Sequence, residues 1–157
     1  MLDALDSLLL TTMRAHPRIG LTELARLLGV ARGTVQARLD KLTARGVISD
    51  FGPTIATEQI GYPILAFASL QIAQGRLTEA VQWLTDVPEI LEVYGTSGQA
   101  DLLCRVAARS TPHLQEIIAR ILASPAIQRT DTTIALSTQI SFRIEPLLKA
   151  AVTPPPA

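Results

Sequence analysis

The sequence predicts an α+β chain, a helix-turn-helix followed by a ferredoxin-like β-α-β-β-α-β unit. Three observations carry that expectation. Apolar residues recur at helical spacing over roughly the first 45 residues. From Tyr62 onward the pattern changes to short runs rich in Ile, Val, Leu and Ala, separated by helical stretches. In that later part the order strand–helix–strand occurs twice, a weak internal repeat. The 157 residues give room for one ordinary domain or two small ones.

The elements follow in order. Leu2, Leu5, Leu8, Leu9 and Met13, with Leu10 beside them, repeat at helical spacing, so residues 3–15 form an amphipathic helix. Pro17 ends it by disfavouring helix at His16. Thr22 offers an N-cap oxygen for a second helix over 22–28. Gly29 closes that helix where a left-handed residue is wanted. A third helix covers 32–45 and stops at Gly46. "VISDFGPTIA" (47–56) reads as a strand and connector. Beyond it, "PILAFASLQIA" is a strand, and "RLTEAVQWLTD" is a helix with Leu77, Val81 and Leu84 on one face. "EILEVYGTS" and "ADLLCRVAA" are strands joined by a hairpin-like turn. "STPHLQEIIARIL" is a helix capped by Ser110 or Thr111, with Pro112 near its first turn, and "AIQRTDTTIALSTQI" is the last strand.

Two helices on one face of an antiparallel sheet leave the other face bare. That face is expected to be rich in Ile, Leu, Val and Ala, and a second copy of the chain is its simplest cover. The end "TPPPA" is read as frayed. The division is then a helix-turn-helix over 1–52, a linker over 53–61, the sheet unit over 62–142 and a C-terminal tail over 143–157.

The formal net charge is zero, so no overall field draws the chain to nucleic acid. Residues 1–52 carry seven basic and five acidic side chains, the remainder seven and nine, a small asymmetry of little weight alone. Cys104, the single cysteine, excludes an intrachain disulfide. Its apolar setting favours a buried small hydrophobe over a nucleophile. Asp3 and Asp6 interrupt any signal-peptide-like run, and no stretch approaches the ~20 apolar residues of a membrane span. A reducing cytoplasm and no membrane partner are expected.

Residues 21–42, "LTELARLLGVARGTVQARLDKL", carry the chemistry of a major-groove reader. Ala25 is small where two steeply crossing helices must touch, Gly29 permits the turn, and Val35 faces back into the hairpin. The third helix would then expose Arg32, Gly33, Thr34, Gln36, Arg38 and Lys41. Gln and Arg match adenine and guanine edges, and Thr reaches phosphate or a thymine methyl. The plain alternative is a solvated basic face on a helical cluster, with Arg38 pairing Asp6 or Asp40. In that case the protein binds a ligand or a partner, and the hairpin serves dimerisation.

"LDALDSLLL", "PRIGLTELARLLGVARGTVQARLDKLTARGVISDFGPTI" and "IGYPILAFASLQI" together resemble the Lrp/AsnC family of bacterial and archaeal transcription regulators. "VYGTSGQADLLCRV" resembles that family's glycine–x–x–aspartate segment, and "IQRTDTTIAL" its last strand, so the resemblance spans about residues 2–140. It implies a winged helix-turn-helix that binds double-stranded DNA, and an effector-binding (RAM-type) domain of the ferredoxin-like kind. It also implies homodimers that often assemble into octamers, with small effectors, commonly amino acids, held between effector domains. The sequence departs from the family at Ala31, which stands where a serine usually opens the recognition helix. Losing that cap typically costs about 1 kcal/mol.

In "GTSGQAD", Gly95 and Gly98 allow backbone conformations other residues resist. Two readings stand: a plain hairpin in which Asp101 satisfies turn amides, or a loop whose backbone groups and Asp101 catch an amino acid's ammonium and carboxylate. The resemblance carries Gly98 and Asp101 onto the family pattern. Gln99 and Ala100 would line the cleft, with Thr130 and Thr132 of the last strand beside them. Ala100 is small where the family often has a bulky aromatic.

Enzyme chemistry finds no support. His16 and His113 lack metal-ligand spacing, and His113 is expected to be solvated. Asp101 and Asp131 could pair for acid–base work, but no nucleophile, metal set or glycine-rich phosphate loop accompanies them. No cofactor is expected beyond a free amino-acid effector.

Overall fold

The computed structural model describes residues 2–152 and divides into two units, one of residues 1–54 with 140–157, the other of residues 55–139. The frayed end expected at "TPPPA" (153–157) lies outside the described residues.

The first unit opens on α1 (Ala4–Ala15), started by a capping box in which Asp3 and Asp6 each accept the other's backbone N–H. α2 (Leu21–Leu28) begins earlier than the sequence suggested: Gly20, not Thr22, is its N-cap, and no side chain caps it. Thr22 lies inside the first turn, because starting at Leu21 lets that residue pack on the core. Gly29 ends the helix at φ 66°, as the sequence requires. α3 is Arg32–Ala44. Leu9, Leu24, Ala25, Val35 and Leu42, all nearly inaccessible, form the core of this unit.

The strand expected over 47–56 is not formed, and the described residues hold no wing hairpin. The N–H groups of Val47 and Ile48 turn back to the Leu42 carbonyl, closing α3. Asp50 Oδ1 then accepts the Gly52 N–H at 2.8 Å, and Pro53 has no N–H to give a ladder. A single 3-10 turn follows at Thr57–Ile60. The stretch read as a tail holds a further helix, Glu145–Val152. It packs on α1: Leu148 is nearly buried, its carbonyl accepts the Ser7 hydroxyl at 3.2 Å, and Arg14 ion-pairs with Glu145.

The second unit runs β1 (Ile64–Ile72), α4 (Leu77–Thr85), β2 (Ile90–Gly95), β3 (Leu102–Ala108), α5 (Thr111–Leu122) and β4 (Ile127–Ile134). The strands lie in the order β2-β3-β1-β4, every neighbouring pair antiparallel, which is the ferredoxin-like arrangement. By chain order the helix Glu145–Val152 is α6. Ala66, Ala68 and Leu70 of β1 point to the helices and are fully buried, with Cys104 and Val106 beside them on β3. Burial pushes the Cys104 thiol up to about 11, so it is inert packing.

α5 contributes Leu114, Ile117 and Ile121, and its N-cap is Ser110, whose hydroxyl accepts the His113 N–H. α4 presents a different face from the one read in the sequence. Ala80 and Leu84 are buried, whereas Leu77 and Val81 are 51% and 42% exposed. The small Ala80 makes the close contact with the core that a leucine would obstruct.

The sheet's other face is also less apolar than expected. Strand alternation places Leu65, Phe67, Leu103 and Tyr94 there, but Ser69, Gln71, Arg105 and Asp131 share it. Arg105 pairs with Glu92 at 3.1 Å across β2 and β3.

His113 is not the solvated residue that its position suggested. Its Nδ1 accepts the Arg109 N–H at 3.1 Å, so the proton sits on Nε2, 3.2 Å from Glu89 Oε1. Arg120 reaches the other carboxylate oxygen at 2.7 Å; that oxygen makes no well-directed hydrogen bond and is held by charge. Burial raises the Glu89 carboxyl's pKa, but its own backbone N–H and Arg120 outweigh that, and the net shift is downward.

Candidate nucleic-acid interface and ligand loop

α3 is a helix with a narrow buried edge. Val35 and Leu42, seven residues apart, face the core, and Leu39 lies between them. Arg32, Gly33, Thr34, Gln36 and Lys41 are all exposed. Gln36 Nε2 donates to Asp40 Oδ1 at 2.8 Å, one helical turn on. Because a carboxylate only accepts, this bond fixes which way the amide points and leaves Gln36 Oε1 directed away from Asp40.

Arg38 is placed differently. Its Nη1 lies 2.6 Å from Asp3 Oδ2 and 2.6 Å from Asp6 Oδ1, and its side chain is 29% exposed. The hydrogen bond from Arg38 and that from the Asp6 N–H hold the Asp3 carboxyl below the usual carboxylate range. Arg26, the other basic side chain at the turn, is engaged by Glu23 at 2.6 Å.

Ala37, exposed on the outward side of α3, was not singled out from the sequence, while Arg45, one of the helix's basic side chains, is its C-cap. A helical wheel centred on Val35 puts Gly33 and Ala37 opposite the core, which is the signal that would have found Ala37.

The start of α3 is as bare as the sequence implies. Ala31 is the N-cap, extended at φ −65° and ψ 145°, and no side chain bonds the first N–H groups. Ala31→Ser is therefore expected to stabilise this unit by about 1 kcal/mol, read as a raised urea midpoint at unchanged slope. An unchanged midpoint would show that water caps these amides equally well.

The loop between β2 and β3 uses most of its own polar groups. The Thr96 hydroxyl donates to the Ala100 carbonyl at 2.6 Å, and the Thr96 N–H to the Asp101 carbonyl at 3.0 Å. Gln71 Nε2 donates to the Gln99 carbonyl at 3.2 Å. Gly98 has φ 134°, a conformation open to glycine. Asp101 Oδ2 accepts the Ile72 N–H at 2.7 Å, tying the loop to the end of β1. Its Oδ1 has no hydrogen-bond partner among the described residues.

Thr130 and Thr132 sit beyond β1, opposite Leu70 and Ala68, with their hydroxyls 3.5 Å apart. Strand β1 therefore separates them from Asp101, and one protomer does not gather all six residues into a single cleft. The described residues hold no cluster of His, Cys, Asp and Glu suited to a metal, and no helix long and apolar enough to cross a membrane.

Comparison with known proteins adds a second line of argument. Residues 2–43 match the AsnC-type helix-turn-helix domain, and residues 65–143 match the Lrp/AsnC ligand binding domain. The HTH-type transcriptional regulator FL11 of Pyrococcus horikoshii is 31% identical over 87% of this chain and 91% of its own. Regulatory protein AsnC of Escherichia coli K12 is 29% identical over 93% of this chain and 97% of its own. Among solved structures, E. coli AsnC superposes with a TM-score of 0.85 at 28% identity, covering 93% of this chain and 99% of that one. A feast or famine regulatory protein from M. tuberculosis complexed with L-methionine gives 0.82 at 28% identity, covering 91% and 97%.

Proposed function

The chain belongs to the Lrp/AsnC family of helix-turn-helix transcription regulators and is no enzyme, and from that premise we propose that it reads double-stranded DNA through Arg32, Gly33, Thr34, Gln36 and Lys41 of α3. The observation that carries this reading is their shared exposure on the helix whose other edge, Val35 and Leu42, is locked in the core. Arg32 and Lys41 supply phosphate or guanine contacts, and Thr34 and Gln36 reach base edges. Gly33 admits close approach of the backbone, with nothing within 4 Å of where a Cβ would stand. The protein works in the cytoplasm as a homodimer, a candidate building block for octamers, that presents two copies of α3 to a roughly palindromic site. The exposed Phe67 and Tyr94 on the bare sheet face supply apolar surface for the second copy.

Arg32→Ala and Lys41→Ala are each expected to weaken binding and to reduce the slope of log K against log salt by about 0.9. The measurement is fluorescence anisotropy on a duplex selected from a random-sequence library by the unmutated protein. Slopes unchanged in both variants would remove these residues from the interface.

The loop at Gly98, Gln99, Ala100 and Asp101, with Thr130 and Thr132, is proposed to bind a free amino acid between protomers. Support comes from the unpaired Asp101 Oδ1, which is suited to an ammonium group, and from the relative that holds L-methionine. Asp101→Asn keeps an acceptor for the Ile72 N–H while removing the charge. It is expected to abolish the rise in melting temperature that a cognate amino acid produces. If no protein amino acid shifts the melting of the unmutated chain, the effector reading fails.

A further inference from the structure

The capping box at the start of α1 and the middle of α3 are one hydrogen-bonded device. Asp3 Oδ1 accepts the Asp6 N–H at 2.8 Å and Asp6 Oδ2 accepts the Asp3 N–H at 3.2 Å. Each carboxylate then has one oxygen left over, and Arg38 Nη1 takes both at 2.6 Å. Asp6 is only 6% exposed, so its charge is compensated by Arg38 and not by water. Without Arg38 two carboxylates would stand side by side at a helix start with only their capping amides between them. The contact joins residues 32 and 35 positions apart in sequence. It grips α3 between Thr34 and Lys41, on the flank of the buried edge.

We propose that Arg38 is a positioning residue: it locks the rotation and tilt of α3 against α1 so that Thr34, Gln36 and Lys41 meet the groove together, and it does not itself contact DNA. This rests on the reading of α3 as the DNA-binding helix. A rigid reader needs such a lock, because base recognition depends on several side chains arriving in register, while phosphate attraction tolerates misalignment. Val35, Leu39 and Leu42 fix the buried edge of α3 by apolar contact, which is non-directional, whereas the Arg38 bonds are directional. A planar guanidinium bonded to two carboxylates resists a roll of α3 in a way an ammonium on a flexible stem does not.

The test compares Arg38→Ala, Arg38→Lys and the double variant Asp3→Asn/Asp6→Asn, which keeps the capping bonds to the backbone and removes the charge. Each is measured across a salt series on the selected duplex and on a scrambled duplex of equal length. All three are expected to lose roughly tenfold in affinity for the selected duplex and less than about twofold for the scrambled one, with the salt slope unchanged. Arg38→Ala combined with the double Asn change is expected to be no worse than either alone, as members of one network should behave. A merely destabilising change would lower both affinities together through the folded fraction. The proposal is overturned if Arg38→Ala lowers the salt slope by about one and weakens both duplexes while the Asn variant does not, which is the signature of a phosphate contact. It is overturned equally if specific binding survives the loss of either side. The reduced slope expected of Arg32→Ala and Lys41→Ala keeps the DNA reading itself under separate control. Should Arg38→Ala fail to fold, Arg38→Lys and the Asn variant carry the same comparison.

Discussion

Leu148→Ala is expected to destabilise the helix-turn-helix unit by about 2 kcal/mol, the lower end of the range for a buried leucine. Leu148 is 9% exposed and lies on α6, whose other leucine, Leu147, is 62% exposed. The neighbour is thus an internal control, and Leu147→Ala is expected to change stability by less than ~0.5 kcal/mol. α6 is held to α1 by the Ser7 hydroxyl on the Leu148 carbonyl and by the Arg14–Glu145 pair, but an exposed ion pair contributes little on its own. The apolar contact of Leu148 should dominate. Hydrogen exchange resolves the effect by unit: protection should fall in α1, α2 and α3 and persist in β1 and β3. Equal effects from the two leucines would mean that α6 is not anchored through Leu148.

Glu89→Gln is expected to cost about 1–3 kcal/mol at neutral pH, because the nearly buried carboxylate loses the charge that faces Arg120. The same substitution should flatten the acid side of the stability profile. The sign follows from the direction of the shift. The Glu89 pKa is lower in the folded chain than its ordinary value of 4.5, so the unfolded chain takes up this proton first as pH falls. The stabilisation is fully present above the unfolded value and is lost as pH falls through the folded one. The difference between the unmutated protein and Glu89→Gln should therefore shrink below about pH 4.5. A difference that stays constant from pH 7 to pH 3 would show that the contact depends on shape and not on charge. Arg120 is 47% exposed, so solvent screens its side of the pair, and the magnitude belongs mainly to the buried carboxylate.

Much of this fold was legible because it depends on local signals. Gly29 and Gly46 sit at positive φ where the sequence placed helix ends, and Ser110 caps α5 as its hydroxyl predicts. Short apolar runs between helical stretches marked the four strands, and their doubled order pointed to the topology. What escaped the sequence depends on partners far along the chain. α6 became a helix of the first unit through Leu148 and Ser7, 141 positions apart. For Arg38 the sequence left two readings, base contact or pairing with Asp6 or Asp40; the structure pairs it with Asp6 and adds Asp3, which the sequence did not suggest. α4 was rotated because leucine and valine outweigh alanine in any hydrophobic pattern, whereas a close helix–sheet contact selects the small side chain. The stretch 47–56 begins with two β-branched residues, yet the carbonyl of Leu42 claims their N–H groups before any strand can. In the β2–β3 loop, the turn and Asp101 were visible, but that β1 runs between them and Thr130 and Thr132 was not drawn from the sequence.

The discontinuity of the first unit has a consequence for synthesis. Residues 55–139 form a continuous stretch that can fold as it leaves the ribosome. The helix-turn-helix, though made first, must wait for residues 145–152 to emerge before α1 receives its last partner. The first unit is therefore completed only by a segment made after every residue of the sheet unit. Fragments that stop before α6 should accordingly lose protection in α1 and bind DNA more weakly than the full chain.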